Sequence, residues 1–390
     1  MYRNSRFRDI LKGLSRGMVD RIAQQCGSDK HTKQFRSWDH LVAMMFAQLS
    51  GSKSLRELEA GFNAHANHHY HLGTKAIKRS TLADANNKRS VDFFAKICGA
   101  LLAQAHQKVK HELTEILYLL DSTPIQLKGL GFDDWTASNH SHRTQGLKVH
   151  VLYAEHEKLP VDVAITAPNV NDINVGRELT LEENATYVFD MGYTDYNWWN
   201  SIKEQGSYFV TRFKRTAALI VESEFPIAEE EQSIIVSDTE VRFKHKCPGG
   251  KRKNHYTDSL RRIVVRRENG KDDLVLATND FKSSATAIAN FYKKRWEIEL
   301  FFKWIKQHLK IKSFLGRSEN AVRIQLLTAI ISYLLLAIYR KTQGIKESLH
   351  LCCAVIKTGL FQRRAIEEHH LRCRENSKSI INATQYALAL

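Results

Sequence analysis

Two aspartates follow short apolar segments in the middle of this sequence. Asp121 follows the apolar residues of LYLLDSTPI, and Asp190 follows those of TYVFDMGY. A carboxylate at the end of a buried strand is costly to remove from water unless it is paired or binds a metal ion. Taken singly, such an aspartate more often belongs to a turn that ends the strand or caps a helix. Two of them on neighbouring strands would supply the oxygen ligands that a magnesium ion requires.

A third acidic residue, Glu299, lies in the stretch NFYKKRWEIELFFKWIKQHLKI, which contains no Gly or Pro. The stretch therefore predicts one continuous helix from Asn290 to Ile311. At about 100° per residue, four polar positions fall within an arc of about 60°, beside an apolar stripe. These positions are Tyr292, Arg295, Glu299 and Lys306. An ordinary amphipathic helix with salt-bridged side chains would show the same pattern, so the helix alone does not establish a site.

The charge of the chain favours a polyanionic partner. Among its 390 residues, 58 are Lys or Arg and 42 are Asp or Glu, which gives a net charge of +16. Nucleic acid is favoured over an anionic membrane, and a merely basic soluble protein stays an alternative. The six cysteines form no CxxC or Cys/His zinc spacing, which argues against a zinc finger and favours a reduced, cytoplasmic chain.

Neither the N-terminal residues nor the most apolar segment predicts a membrane protein. The N-terminal residues MYRNSRFRDILKGL have charges where a signal peptide has an apolar run. The most apolar segment, LLTAIISYLLLAIY, is shorter than the roughly 18 residues that span a bilayer. We therefore expect a buried helix from Val322 to Tyr339 and no membrane span.

The elements around the acidic residues predict an α/β fold. Apolar residues at three- and four-residue spacing predict helices up to about Lys110. From Ile116, short strands and helices follow in the order strand, strand, strand, helix, strand, helix, strand, which is the order of a ribonuclease-H-like core. The expected domains are a helical N-terminal DNA-binding region (1–112), the core (113–213 and 281–342), a β-rich insertion (214–280), and a C-terminal helical region and tail (343–390).

The predicted insertion contains a basic loop, KHKCPGGKRKNH. Its residues Lys251, Arg252 and Lys253 are expected to contact DNA phosphates, and a merely solvated loop is the alternative. The histidine-rich segments NAHANHHYHLG and SNHSHRTQG lack a regular ligand spacing, so they are interpreted as surface or DNA-facing histidines.

The spacing Tyr-x2-Arg-x3-Glu-x6-Lys resembles the signature of the insertion sequence 4 family of transposases, which have a DDE triad of acidic residues. The resemblance also includes LYLLDST, VFDMGY, GLKVHVLY and PNVNDI, and it extends from about Trp38 to about Tyr339. It implies a ribonuclease-H-like core interrupted by a β-rich insertion, with a DNA-binding region at the N-terminus. Hairpin-forming relatives have a Trp in the insertion, whereas this chain has none between Trp199 and Trp296.

The resemblance further implies that Asp121, Asp190 and Glu299 hold two Mg²⁺ ions, for which Mn²⁺ can substitute. The same resemblance implies that Tyr292, Arg295 and Lys306 contact DNA phosphates. The implied enzyme binds terminal inverted repeats as a homodimer on double-stranded DNA, cleaves the ends and joins them to target DNA. A structure-selective nuclease on the same fold and an inactive DNA-binding regulator are the alternatives.

Overall fold

The computed structural model describes residues 4–107, 116–137, 144–248, 252–267, 272–309, 311 and 313–362. The helices are α1 Arg6–Leu11, α2 Arg16–Gln25, α3 Ser37–Ser50, α4 Leu55–Asn63, α5 Ala66–Leu72, α6 Arg79–Lys88, α7 Val91–Gln107, α8 Asp133–Thr136, α9 Asp172–Glu178, α10 Tyr196–Glu204, α11 Ala285–Lys294, α12 Trp296–His308, α13 Glu319–Thr342 and α14 Leu349–Thr358. The strands are β1 Ile116–Gln126, β2 Gly146–Ala154, β3 Leu159–Thr166, β4 Ala185–Phe189, β5 Tyr208–Arg212, β6 Leu219–Glu224, β7 Ile235–Phe243, β8 Leu260–Val265 and β9 Leu274–Thr278.

The chain divides into two compact units. Unit 1 consists of Met1–Ala105 with Lys303–Leu390, and unit 2 consists of His106–Phe302. Unit 1 is helical in its described parts, whereas all nine strands of the described residues lie in unit 2. The second boundary falls within α12, so the residues of that helix are divided between the two units.

Helix α13 is the core helix of unit 1. It packs against α1, α3, α6 and α14, and the side chain of Ser318 caps its first turn by accepting a hydrogen bond from the backbone of Ala321. The predicted apolar helix is confirmed, but it is longer than the apolar segment. At 24 residues it is long and apolar enough to cross a membrane by length and composition alone. However, 83% of its most apolar window is buried within the protein, as in a core helix. Core helices can also meet these criteria of length and composition.

The strands of unit 2 form one mixed sheet in the order β3-β2-β1-β4-β5-β9-β8-β7-β6. Strands β1, β4 and β5 are parallel, and the remaining neighbours are antiparallel. β1 is an interior strand and apolar, with Leu117 to Leu120 buried. The four strands after β5 extend the same sheet, because β9 pairs directly with β5.

One long strand replaces two that the sequence predicts. The residue pattern predicts one strand in QSIIVSD and another in EVRFKHK, but both segments contribute to a single strand, β7. The polar residues between them do not form a turn because Asp238 has a partner on the neighbouring strand. Arg261 of β8 donates hydrogen bonds from Nε and Nη2 to the Asp238 carboxylate, at 2.9 and 2.6 Å. Both side chains are buried, so this ion pair lies inside the sheet layer.

The helix predicted from Asn290 to Ile311 is broken into two, so that prediction is wrong. α11 ends at Lys294, and α12 begins at Trp296. At the junction the backbone N–H of Arg295 donates to Tyr292 O at 3.1 Å and that of Ile298 donates to Arg295 O at 3.2 Å. Both bonds span three residues rather than four, which is a tighter turn than the α-helix makes. The predicted common face of Tyr292 and Glu299 therefore does not follow from helical periodicity.

Candidate active site

Asp121 and Asp190 are brought side by side by the parallel pairing of β1 with β4. The pairing ends with Leu120 opposite Phe189, and each aspartate is the next residue along the chain: Asp121 continues β1, and Asp190 follows the end of β4. Neighbouring strands lie about 4.8 Å apart, so the two side chains begin from adjacent positions. The expectation that Asp121 ends its strand is wrong, because β1 continues to Gln126 through its pairing with β2.

Arg295 connects Asp121 with Glu299. Its Nη1 donates to Asp121 Oδ2 at 2.9 Å, and its Nη2 donates to Glu299 Oε1 at 2.7 Å. The Arg295 side chain is 19% exposed, so these charge-assisted bonds are shielded from water. The junction between α11 and α12 places the guanidinium here. The structure thus brings together four sequence-predicted residues: Asp121, Asp190, Arg295 and Glu299.

Burial and the neighbouring carboxylates oppose the ionisation of the two aspartates. Removal from water raises the pKa of Asp121 to about 6, and the nearby carboxylates of Asp190 and Glu299 raise it as well. The backbone N–H of Ser122 and the Arg295 guanidinium act in the opposite direction. Burial likewise raises the pKa of Asp190, whose carboxylate accepts a hydrogen bond from the backbone N–H of Gly192 at 2.8 Å.

A fourth acidic residue, Asp172, lies next to this group and was not predicted as a site residue. It is the first residue of α9, and its Oδ1 accepts hydrogen bonds from Lys148 Nζ at 2.9 Å and from Ser122 Oγ at 3.1 Å. Its charge also raises the pKa of Asp190. Both Lys148 and Asp172 lie in the motifs GLKVHVLY and PNVNDI, so the sequence contained them without indicating their role.

Gly192 separates two of the carboxylates. A Cβ atom at this position would lie 3.0 Å from Asp172 Oδ2 and 3.0 Å from Asp190 Oδ1. Such contacts are tighter than side chains normally make, so any larger residue would have to move one of the two acids. The close approach of Asp172 and Asp190 therefore depends on a glycine.

Two further residues surround the carboxylates. The Arg295 guanidinium carbon lies 5.8 Å from the centre of the Tyr292 ring. Arg212, the last residue of β5, is near enough for its charge to lower the pKa of Asp190 and to act on Tyr292. Arg212 makes no side-chain hydrogen bond or ion pair with the part of the chain that the structure describes, so its charge is available to a ligand.

Of the other predicted site residues, one belongs to unit 1 and one forms an ion pair with a residue outside the site. Lys306 lies on α12 within unit 1. Arg252 forms an ion pair with Asp195 at 2.9 Å, and Lys253 accepts a hydrogen bond at its backbone carbonyl from Asn197. Lys251 lies outside the described residues.

Three further side chains of unit 2 have their partners outside the site. Glu297 forms an ion pair with Lys158 at 2.5 Å rather than with the site residues. Trp198 and Trp199 are buried in the core of unit 2, as expected for structural residues.

One family model and two sequence relatives identify the family of this chain. Residues 112–335 match the family model described as the transposase DDE domain. Residues 2–75 match a domain of unknown function (DUF4372). The putative transposase y4zB of Sinorhizobium fredii is 42% identical over 73% of this chain and 78% of that protein. The probable transposase for insertion sequence element IS5377 of Geobacillus stearothermophilus is 30% identical over 68% of each protein. The piggyBac transposase in a synaptic complex with hairpin DNA covers 92% of this chain at 8% identity, with a TM-score of 0.45.

The chain therefore belongs to the DDE transposase family, whose members act on DNA and use divalent metal ions. Asp121, Asp190 and Glu299 all lie within the matched range. Their chemistry fits a hard divalent cation, because such ions prefer carboxylate oxygens. Among the described residues no three acidic, His or Cys side chains converge on one point. The guanidinium of Arg295 lies between Asp121 and Glu299 and is the cation that balances them.

Proposed function

We propose that this transposase belongs to the insertion sequence 4 family and that its catalytic core is ribonuclease-H-like. Apart from the four-residue α8, the elements from β1 to β5 follow the succession strand, strand, strand, helix, strand, helix, strand, which supports this fold. The proposed domains are 1–112 for DNA binding, 113–213 with 281–342 for the core, 214–280 for the insertion and 343–390 for the C-terminal region.

Asp121, Asp190 and Glu299 are the proposed ligands of two Mg²⁺ ions, which Mn²⁺ can replace. The observation that supports this most directly is that Asp121 lies beside Asp190 while Arg295 joins Asp121 to Glu299. Two such ions, when bound, activate an attacking water or DNA 3′-hydroxyl and stabilise the leaving oxygen. The protein contributes the buried carboxylates, held in place by the backbone N–H groups of Ser122 and Gly192.

The basic and phenolic groups around the carboxylates are the proposed contacts to DNA phosphates. Arg295 balances the charge of the two acids in the free protein and binds a phosphate in the DNA complex, where a planar fork suits two phosphate oxygens. Tyr292 and Lys306 contact phosphates of the transposon end, and Arg212 adds a charge that has no side-chain partner among the described residues.

The proposed reaction takes place on double-stranded DNA in the bacterial cytoplasm. A homodimer binds the terminal inverted repeats, cleaves the DNA ends and transfers them to target DNA. The basic loop with Lys251, Arg252 and Lys253 adds affinity that does not depend on sequence.

A cleavage and joining assay tests this proposal. Purified protein is incubated with Mg²⁺ and a duplex that contains the inverted repeats flanking the gene, with a shuffled duplex as the control. We expect cuts at the repeat ends, followed by joined products with a target plasmid. Cutting at branched or looped DNA without joining would indicate a structure-selective nuclease. Specific binding without cutting in Mg²⁺ or Mn²⁺ would indicate a DNA-binding regulator.

A further inference from the structure

A basic cleft lies in unit 1, between the loop that joins α2 to α3 and the helix α6. Its volume is about 600 Å³. Five lysines line it, two from the loop, two from the segment before α6 and one from the end of that helix: Lys30, Lys33, Lys75, Lys78 and Lys88. We call this feature the lysine cleft. None of its lysines is among the site residues proposed above.

The charges of the lysine cleft are not balanced within the protein. All five lysines are exposed, and none makes a side-chain hydrogen bond or an ion pair with any residue that the structure describes. Two acids also line the cleft, Asp39 and Asp84. Asp39 already accepts hydrogen bonds from Thr74 Oγ1 at 2.7 Å and from the backbone N–H of Arg36 at 2.9 Å. Positive charge therefore dominates the cleft.

The loop wall of the cleft is rigidly held by Arg89. This side chain is 6% exposed, and its Nη1 donates to Asp29 Oδ1 at 2.9 Å and to Ser37 Oγ at 2.7 Å. Its Nη2 donates to the carbonyl of Phe35 at 2.7 Å. These bonds fix the loop at both ends, so Lys30 and Lys33 are presented without an ordering cost for the backbone when a ligand binds.

We propose that the lysine cleft binds the phosphate backbone of duplex DNA independently of base sequence. This inference rests on the proposed function, because it takes the ligand to be the DNA on which the transposase acts. Lysines are mobile point charges that suit a row of phosphates, whereas base recognition favours planar groups aimed at base edges. The cleft lies partly within residues 2–75, so it would assign a phosphate-binding role to the domain of unknown function.

The test compares two charge-matched variants of the full chain. The cleft variant has Lys30→Gln, Lys33→Gln, Lys75→Gln and Lys78→Gln. The control variant has Lys53→Gln, Lys96→Gln, Lys341→Gln and Lys346→Gln, at exposed lysines of the same unit that do not line the cleft. Fluorescence anisotropy gives the Kd for a duplex with the terminal repeat and for a shuffled duplex, between 50 and 200 mM salt.

Each phosphate contact contributes about 0.9 to the slope of log Kd against log salt concentration. We therefore expect the cleft variant to lose about 3 to 4 from this slope and to bind both duplexes at least about tenfold more weakly at low salt. The control variant should keep the wild-type slope. Lys→Arg at the four cleft positions should restore the slope, since it restores the charge.

The outcomes separate this inference from the proposed function. An unchanged slope in the cleft variant, or an equal loss in both variants, would overturn the lysine cleft as a DNA site even if the protein cleaves its ends normally. A loss confined to the terminal-repeat duplex would also overturn it, because it would indicate base recognition. If wild-type protein does not cleave the ends but the cleft variant alone loses its slope, the proposed function fails and this inference stands.

Discussion

The surroundings of the Asp121 carboxyl group disfavour its ionised form. It lies in the middle of a buried strand, beside Asp190, with Glu299 on the other side of Arg295. Burial and these neighbours raise its pKa to about 6, so a proton competes with any cation for its oxygens. Buried carboxylates so close together repel one another unless a cation lies between them. In the free protein, Arg295 is such a cation.

The three acids should each be indispensable for cleavage but not for binding. Asp121→Asn, Asp190→Asn and Glu299→Gln each keep shape while removing a negative charge, so we expect cleavage to fall by at least about a hundredfold. Affinity for the repeat duplex should change less than about threefold, because the lost charges are not phosphate contacts. Glu297→Gln is the matched control on the same helix, since Glu297 pairs with Lys158. Substantial cleavage by any of the three variants would remove that residue from the site.

Arg295 should behave as an internal counter-ion in the free protein. Arg295→Met leaves Asp121 and Glu299 without their charge-assisted hydrogen bonds, which should lower the free energy of unfolding by about 1.5–3 kcal/mol. Added Mg²⁺ should raise the melting temperature of the variant more than that of the wild type, because the ion replaces the lost charge. Calorimetry with and without Mg²⁺ measures both effects.

Lys294→Met is the control for this experiment, because Lys294 precedes Arg295 and contacts Glu155 instead of the site. An Arg295→Met protein that gains no more from Mg²⁺ than the Lys294→Met protein would contradict the counter-ion role.

Gly192 should be required for the approach of two carboxylates. Gly192→Ala places a methyl group 3.0 Å from both Asp172 and Asp190, so one acid must move and cleavage should fall by about tenfold or more. Gly99→Ala is the control, because its methyl group would meet nothing within 4 Å. Cleavage rates under single-turnover conditions and melting temperatures distinguish a displaced acid from a misfolded protein. Normal cleavage by the Gly192→Ala protein would show that this spacing is unimportant.

At the scale of elements, the strands after β5 also hold the segment that leads into α11. Arg261 of β8 binds Asp238 of β7, and its Nη1 donates to the carbonyl of Asp280 at 3.2 Å and to that of Ser283 at 2.6 Å. Ser284, the next residue, caps α11. A buried guanidinium thus connects the outer part of the sheet to the start of the helix that ends at the site.

Removal of Arg261 should therefore be costly. Arg261→Met leaves Asp238 as an uncompensated buried charge, for which we expect a loss of about 3–5 kcal/mol in the free energy of unfolding. Arg242→Met removes an exposed ion pair with Glu222 on the neighbouring strand and should cost less than about 1 kcal/mol. Urea denaturation measures both losses. Equal losses would mean that the buried pair contributes no more than a surface pair.

Sequence patterns located most of the elements but not their interruptions. Periodicity predicted α10 and the apolar part of α13 because local apolar spacing determines them. The junction at Arg295 could not be predicted, since no Gly or Pro marks it and one partner of its side chain, Asp121, is 174 residues away in the sequence. The single strand β7 was missed for the same reason, because Asp238 is satisfied by Arg261 on another strand.

Some residues of the candidate site could be predicted from the sequence, and others could not. Asp121 and Asp190 could be identified because a charge after an apolar strand is conspicuous in one sequence. Asp172 and Arg212 could not, since nothing local indicates that α9 begins and β5 ends beside those aspartates. Proximity between distant segments follows from the strand order, and the strand order was only implied by resemblance.

At the scale of the whole molecule, acid should destabilise the protein through His40. This side chain is fully buried, and burial together with the charge of Arg89 lowers its pKa to about 3. Because the folded pKa lies below the unfolded value of 6.5, the unfolded chain binds the additional proton between these pH values. Stability from this group is therefore complete above pH 6.5 and decreases as the pH falls.

Between pH 7 and pH 5, His40 should reduce the free energy of unfolding by about 2 kcal/mol. His40→Gln should remove that share of the pH dependence, whereas His71→Gln, at an exposed position, should leave it unchanged. Urea denaturation of the three proteins at pH 7, 6 and 5 measures the difference. Parallel pH profiles for the wild type and the His40→Gln protein would contradict this assignment.

The unequal pairing of β1 has a consequence for amide hydrogen exchange. From Tyr118 to Leu120 the strand has neighbours on both sides, but from Asp121 to Gln126 it is paired with β2 alone. Successive amides of a strand point to opposite sides, so roughly half of those beyond Leu120 face no partner strand. In deuterated water the peptide from Asp121 to Gln126 should label in two phases, while the preceding peptide labels slowly throughout. Amide exchange in β1 should therefore become faster from Asp121 onward, where the strand loses one of its two partners. This change can be measured without DNA or metal.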